Sequence, residues 1–256
     1  MTVAASPKLP LWRTVGQAYA VWARNFPDLV RTCWLWMLLM APILAICRWW
    51  QERHVADNIV TYHLSAMVMG IVGLVVMLPA LASVAVAWHR LLLRDEHPGP
   101  GVYLRLDRTV AGYAILAFWI GVIAVAPRYV ATMSQIVTGR HLPTGWFLAG
   151  LGSGIISFIV ARLSLALPGI ALGRDDVALG TAWRVSKRNT WRMYLAYSFC
   201  ILPWTVVVTS IPFWRLPSRT TVVLVQLVMG LLWIPIGMIS VSMLSLAFRH
   251  FFEHRA

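Results

Sequence analysis

The sequence predicts an all-α, polytopic membrane helix bundle: six transmembrane helices, two interfacial amphipathic helices and a parallel internal repeat. Three observations predict it. Hydrophobic residues make up 59% of the chain and charged ones only 12%, with a mean hydropathy of +0.72, whereas soluble domains carry roughly a quarter charged residues. Several long runs hold no charge, and a helix rising about 1.5 Å per residue needs roughly 20 apolar residues to cross the hydrocarbon core. Lastly, V-G-Q-A-Y-A-V-W-A-R-N at residues 15–25 returns as L-G-T-A-W-R-V-S-K-R-N at residues 179–189, with five identical positions.

The first element is amphipathic. At about 100° per residue, Leu11, Val15, Ala18, Tyr19, Trp22 and Phe26 share one face while Arg13 and Arg24 lie opposite, the pattern of a helix lying flat at headgroup depth. Pro27 is expected to turn the chain into the first span, residues 32–47, whose bounding Arg31 and Arg48 can reach the headgroups. Residues 64–88, 109–127, 193–214 and 220–248 are free of charge and form the second, third, fifth and sixth spans. Residues 142–173, interrupted by Arg162 alone, form the fourth, with Pro168-Gly169 expected to break it at the interface.

The second copy of the amphipathic stretch precedes span five as the first precedes span one. Asp175 or Asp176 can cap it, Leu179, Ala182 and Trp183 share a face, and Arg184 and Arg188 point away. Asn25 and Asn189 end the two copies. Span two closes in L-A-S-V-A-V-A-W-H-R-L-L-L-R-D-E-H and the chain closes in M-I-S-V-S-M-L-S-L-A-F-R-H-F-F-E-H, each passing from apolar helix into a basic, histidine-bearing tail. One integral membrane domain therefore covers residues 1–256, with repeat halves at about residues 11–94 and 175–254 and spans three and four between them. Both halves run in the same direction, so an axis along the membrane normal relates them.

With the N-terminus inside, sixteen of the 22 Lys and Arg residues fall on the cytoplasmic side, including Arg24, Arg90, Arg162 and Arg188. Both termini are accordingly placed in the cytoplasm. The net charge of +13 then belongs mostly to one membrane face, where anionic headgroups attract basic residues by about 1 kcal/mol each. The basic residues are dispersed among membrane segments and build no nucleic-acid-binding module. Residues 1–10 lack the apolar core of a cleavable signal, so the first span is expected to serve as its own insertion signal. Cys33, Cys47 and Cys200 lie inside spans and read as reduced structural thiols.

Catalytic and metal motifs do not emerge. The chain has no H-E-x-x-H, no G-x-x-x-x-G-K-[ST], no G-x-S-x-G and no paired His or Cys spacing, so neither metal nor cofactor is implied. The nine acidic residues fall in connections or tails, which argues against a proton-coupled pump. Gly150 and Gly154 make a GxxxG step at which another helix is expected to approach closely, and Pro235 is expected to kink the last span.

The binding candidates are Arg24, Asn25, Arg188 and Asn189 on the two amphipathic stretches and the polar residues at membrane depth, Arg162, Trp88, His89 and Arg90. Arg162 either snorkels to the cytoplasmic surface or lies deep, where it needs a phosphate, a carboxylate or helix C-terminal carbonyls as partner. Trp88, His89 and Arg90 close span two, where Trp beside His is expected to be an interfacial anchor and a ligand or relay role for His89 is the sharper alternative. The fourteen tryptophans are expected mostly to mark the two interfaces.

A-W-H-R-L-L-L at residues 87–93, R-L-S-L-A-L-P-G-I-A-L-G at residues 162–173 and T-A-W-R-V-S-K-R-N-T-W-R at residues 181–192 resemble a widespread set of bacterial six-span inner-membrane proteins of uncharacterised role. That set is distantly similar to the membrane domain attached to some glycerophosphodiester phosphodiesterases. The resemblance implies a bacterial inner-membrane location and no catalytic residue.

Two functional readings follow. In the first, a non-enzymatic membrane protein binds anionic phospholipid, a partner subunit or a second copy of itself through its basic inner face, in envelope maintenance or assembly. In the second, a transporter or lipid translocator uses the space between the repeats, with Arg162 reading a phosphate.

Overall fold

The computed structural model describes residues 8–54, 59–99, 103–138, 143–174, 176–211 and 218–253. Among them, every regular element is helical. In chain order these are α1 (Leu11–Arg24), α2 (Phe26–His54), α3 (Ile59–Arg94), α4 (Arg108–Thr138) and α5 (Pro143–Leu163). A short turn of tighter helix at Ser164–Ala166 leads into α6 (Leu167–Ala171), followed by α7 (Leu179–Ser186), α8 (Thr190–Ser210) and α9 (Arg219–Phe248).

Five stretches are long and apolar enough to cross a membrane: Phe26–Cys47, Arg108–Pro127, Gly150–Ala171, Thr190–Ser210 and Thr220–Glu253. They coincide with the predicted first, third, fourth, fifth and sixth spans. The predicted second span falls within α3, a helix of 36 residues. Asp57, Arg140, Asp175 and Arg215 lie outside the described residues.

The helix starts have local causes. Asp107 caps α4 by accepting the Val110 N–H at 2.9 Å. Burial raises the Asp107 carboxyl, but the Val110 N–H and the Arg105 guanidinium outweigh it and hold the group below its ordinary value. Ser218 caps α9 through Thr221. Asp176 does not cap α7: the N-cap position is Ala178, and Asp176 instead pairs with Arg174 at 2.6 Å, whose guanidinium holds its carboxyl below the usual range.

The first span starts earlier than expected. Asn25, with φ −100° and ψ 21°, makes the turn, and Pro27 sits in the first turn of α2, where a missing N–H is harmless. Asn189 has nearly the same backbone, φ −119° and ψ 9°. Each asparagine then accepts the first hydrogen bond of the following helix, from Leu29 at 3.0 Å and from Met193 at 2.9 Å.

Burial follows the same register. α2 buries Leu29, Thr32, Trp36 and Met40, and α8 buries Met193, Ala196, Cys200 and Trp204. Each member of the second set stands 164 positions after its counterpart, the offset of the eleven-residue match, as does buried Ala182 after buried Ala18.

α1 departs from its expected setting. Its apolar face packs on protein, with the Tyr19 hydroxyl donating to the Phe199 and Cys200 carbonyls at 3.0 and 3.1 Å. Pro203 inside α8 supplies no N–H for the Phe199 carbonyl four residues earlier, so Tyr19 fills that vacancy. Trp22 donates its indole N–H to the Pro235 carbonyl of α9 at 2.8 Å. α1 is thereby plugged into both proline-bearing helices of the second half.

Close approach on α5 also falls elsewhere than expected. A Cβ added at Gly150 or Gly154 would meet nothing within 4 Å, whereas one at Gly152 would lie 3.4 Å from Pro127 Cβ of α4. The predicted break at Pro168-Gly169 is displaced as well. Pro168 sits in the first turn of α6, and the chain reverses at Gly173, with φ +65°. There the Gly173 N–H reaches the Ile170 carbonyl and the Arg174 N–H the Gly169 carbonyl, a paired closure that needs a left-handed residue.

Candidate functional site

One end of the bundle gathers the candidate residues. Asp28 at the start of α2 meets His97 after α3 at 3.0 Å. Leu9, ahead of α1, donates its backbone N–H to the buried Asn189 side chain at 2.8 Å, and its carbonyl accepts from Arg192 at 2.7 Å. Asn25 turns its own amide back onto the Val21 carbonyl at 2.9 Å. The two matched asparagines thus share a backbone role and differ in side-chain role.

The arginines divide into clamps and free cations. Arg90 Nε donates to the Ala171 carbonyl at 2.9 Å and Arg94 Nη2 to the Leu172 carbonyl at 2.6 Å, which satisfies the C-terminal carbonyls of α6. Arg162 stands at the penultimate position of α5. Its guanidinium donates to the Ser186 hydroxyl at 3.2 Å and to the Trp183 carbonyl, and lies 3.4 Å from the centroid of the Trp183 ring. Of the partners a deep arginine would need, helix C-terminal carbonyls are the ones supplied. Arg24 and Arg188 are exposed, as are Arg13, Arg184 and Lys187.

Replacing Arg162 by leucine is expected to loosen α7 by about 1–3 kcal/mol, from two charged hydrogen bonds, one of them exposed to solvent, and one cation–π contact. Amide exchange across residues 183–189 should quicken. Arg162→Lys should recover only part of the protection, because an ammonium lacks the planar fork. Exchange unchanged in Arg162→Leu would show that the clamp does not hold α7.

Trp88 and His89 are not interfacial anchors. They are 1% and 0% exposed, and they join α3 to α9 through Trp88 Nε1 to Ser242 Oγ and His89 Nδ1 to Ser245 Oγ, both at 2.7 Å. Each serine gives its single proton to the carbonyl four residues earlier, Met238 at 2.8 Å and Val241 at 3.0 Å. Both hydroxyls therefore accept, from the indole N–H and from the Nδ1–H of histidine. His89 Nε2 is left to accept from Tyr113 of α4 at 3.3 Å.

Sequence reasoning missed Ser242, Ser245 and Tyr113. A signal existed, because hydroxyls three residues apart in an otherwise apolar helix face one neighbour. Trp36 and Trp204 are also buried, so these two rings, like Trp88, serve the core.

A cavity of about 500 Å³ lies among α3, α4, α5, α8 and α9. Leu81 and Ala85 of α3, Tyr113 and Ile120 of α4, Trp204 of α8 and Gly237 of α9 are among the residues that line it, and among the described residues no charged side chain does. Arg162 is outside this lining. Among the described residues, no three His, Cys, Asp or Glu side chains stand together as a metal site would require. No family model matches the chain, and neither a curated protein nor a solved structure does.

Proposed function

We propose that the chain is a non-enzymatic protein of the bacterial inner membrane that binds anionic phospholipid at its cytoplasmic face. In this reading it has six spans with both termini inside, and two parallel repeats that each begin with a helix at the headgroup level. Support for the repeat comes from the shared offset of 164 in sequence match, asparagine backbone and burial register. Support for the sixth span comes from the length of α3.

The observation that carries the lipid reading is a charge left over at one end of the bundle. Arg13 and Arg24 on α1 and Arg184, Lys187 and Arg188 on or just after α7 stay exposed. None of the five forms an ion pair among the described residues. Protein contacts occupy the apolar side of α1, so the basic side is the one presented outward. Cations held at the headgroup level gain about 1 kcal/mol each from an anionic leaflet.

The lipid-carrying reading gives Arg162 a phosphate to hold, and that guanidinium is already taken up by α7. Anionic binding at the outward cations is therefore preferred. An envelope maintenance or assembly role, through a partner subunit or self-association, is compatible with it.

Native mass spectrometry of the protein released from bilayers of mixed phosphatidylglycerol and phosphatidylcholine tests the proposal. The parent protein should retain phosphatidylglycerol above its share of the bilayer. Arg24→Glu combined with Arg188→Glu removes two cations and adds two anions, and should abolish most of that enrichment. Enrichment equal to that of the parent would overturn the reading.

A further inference from the structure

The cavity among α3, α4, α5, α8 and α9 has a polar end and an apolar end. Among the described residues, the hydroxyls that line it belong to Tyr113 of α4, Ser164 just past α5, Tyr197 of α8 and Ser240 of α9. Tyr197 stands seven residues, about 10 Å, from the start of α8, and Ser240 eight residues, about 12 Å, from the end of α9. Both of those helix ends lie at the basic face. Tyr197 packs against a cluster that contains Ile239, Met243 and Leu244, the chain neighbours of Ser240. Trp204 and Trp233 line the cavity about 21–23 Å from the same two helix ends, so a tier of hydroxyls faces a tier of apolar rings.

The hydroxyls are not alike. Tyr113 donates to His89 at 3.3 Å and Ser164 to the Val160 carbonyl at 2.8 Å, which leaves those two oxygens with lone pairs to offer. Tyr197 and Ser240 make no hydrogen bond among the described residues. Ser240 is 8% exposed and differs in this from Ser242 and Ser245 of the same helix, which each donate to the carbonyl four residues earlier. Its oxygen and that of Tyr197 are not sealed within the protein, whereas the Trp204 indole nitrogen is. Inside a membrane no bulk water reaches such groups, and a polar group left unpaired there is costly.

Charge and length restrict what can answer them. Among the described residues no charged side chain lines the cavity, and an ion moved there would lose its hydration without a counter-charge. Along α4 the lining runs from Tyr113 to Val125, twelve residues of helix or about 18 Å, close to half of a hydrocarbon core about 30 Å thick. Gly121 and Gly237 line the cavity, and a Cβ built at either meets nothing within 4 Å. One extended lipid chain fits that space.

We infer that this cavity binds an uncharged long-chain lipid alcohol, its hydroxyl head at Tyr197 and Ser240 and its chain directed toward Trp204 and Trp233. A hydroxyl accepts from the two open protons and can give its own to a lone pair on Tyr113 or Ser164, whereas a carbonyl or ether oxygen only accepts. Selection rests on the head, because lipid tails gain little from apolar contact alone inside a membrane. The site is separate from the basic face and does not depend on anionic lipid binding there.

The test uses the whole protein in detergent free of anionic lipid and reads displacement of tritiated 1-hexadecanol by scintillation proximity. Unlabelled 1-hexadecanol, 1-chlorohexadecane and hexadecyl phosphate are the competitors. The chloride keeps the chain and has no proton to donate, and the phosphate adds charge. The alcohol should compete roughly three- to tenfold more strongly than the chloride, the worth of one net hydrogen bond, and more strongly than the phosphate. Tyr197→Phe combined with Ser240→Ala removes both hydroxyls and breaks no hydrogen bond within the protein, so the ratio of alcohol to chloride should fall to about one.

Gly237→Leu should fill the space and weaken the alcohol and the chloride together. Equal competition by alcohol and chloride in the parent protein would overturn the inference. So would an alcohol preference that survives in Tyr197→Phe with Ser240→Ala, displacement by hexadecyl phosphate stronger than by the alcohol, or binding that Gly237→Leu leaves unchanged.

Discussion

Gly169→Ala is expected to destabilise the protein by about 2–3 kcal/mol, although alanine inside a helix ordinarily exceeds glycine in stability by roughly 0.5–1 kcal/mol. The sign reverses because of one neighbour. A Cβ at Gly169 would lie 2.7 Å from Val177 Cβ and 2.9 Å from its Cγ1, and Val177 is itself 4% exposed. Neither side can yield, since α6 is held by Arg90 and Arg94 on its last carbonyls and the reversal at Gly173 fixes the chain that returns to Val177.

Thermal unfolding in detergent, followed by loss of the monodisperse species, measures the effect. Val177→Gly removes the atoms that the new carbon meets, so the double variant Gly169→Ala with Val177→Gly should be more stable than the sum of the single changes predicts. Strict additivity, or an increase in stability for Gly169→Ala alone, would show that the two residues are not in contact.

His89→Leu should cost about 2–4 kcal/mol. The leucine matches much of the imidazole volume but leaves the buried Tyr113 hydroxyl, 4% exposed at its residue, without the acceptor it has at 3.3 Å. Ser245 keeps its bond to the Val241 carbonyl, so Tyr113 bears most of the loss. Removing both members of a buried pair is cheaper than removing one. His89→Leu with Tyr113→Phe should accordingly be more stable than His89→Leu alone, and a double variant no better than the single would exclude the Tyr113–His89 bond from the stability of the bundle.

These two sites were unequally legible. Gly169 stands in a P-G pair that reads as a helix break, yet its importance comes from Val177, which returns to it only after the turn at Gly173. His89 beside Trp88 reads as an interfacial anchor because both residues sit at the end of an apolar run. Their partners Ser242 and Ser245 lie more than 150 positions away on α9, and no local pattern joins the two stretches.

Arg162 divides in the same way. Its position near the end of an apolar helix was readable, and so was its need for a partner. Its partners on α7 depend on the reversal after α6 that brings Trp183 and Ser186 back beside α5. The small-residue step at Gly150 and Gly154 had the right composition for close packing, while α4 approaches the other side of α5 at Gly152.

The sequence by itself determined that the chain is helical, which stretches are apolar enough to cross a membrane, and that two stretches 164 positions apart are built alike. Hydropathy and helical period are sums over neighbouring residues, so a short window contains them whole. Only the tertiary structure decided which apolar faces meet protein. It set Tyr19 and Trp22 on the proline-bearing helices α8 and α9, buried Trp88 and His89, and left Arg24 and Arg188 exposed while Arg90 and Arg162 became clamps. In a membrane the lipid is as apolar as the core, so hydrophobicity cannot distinguish the two environments, and the choice falls to packing and to hydrogen bonds between residues far apart in the chain.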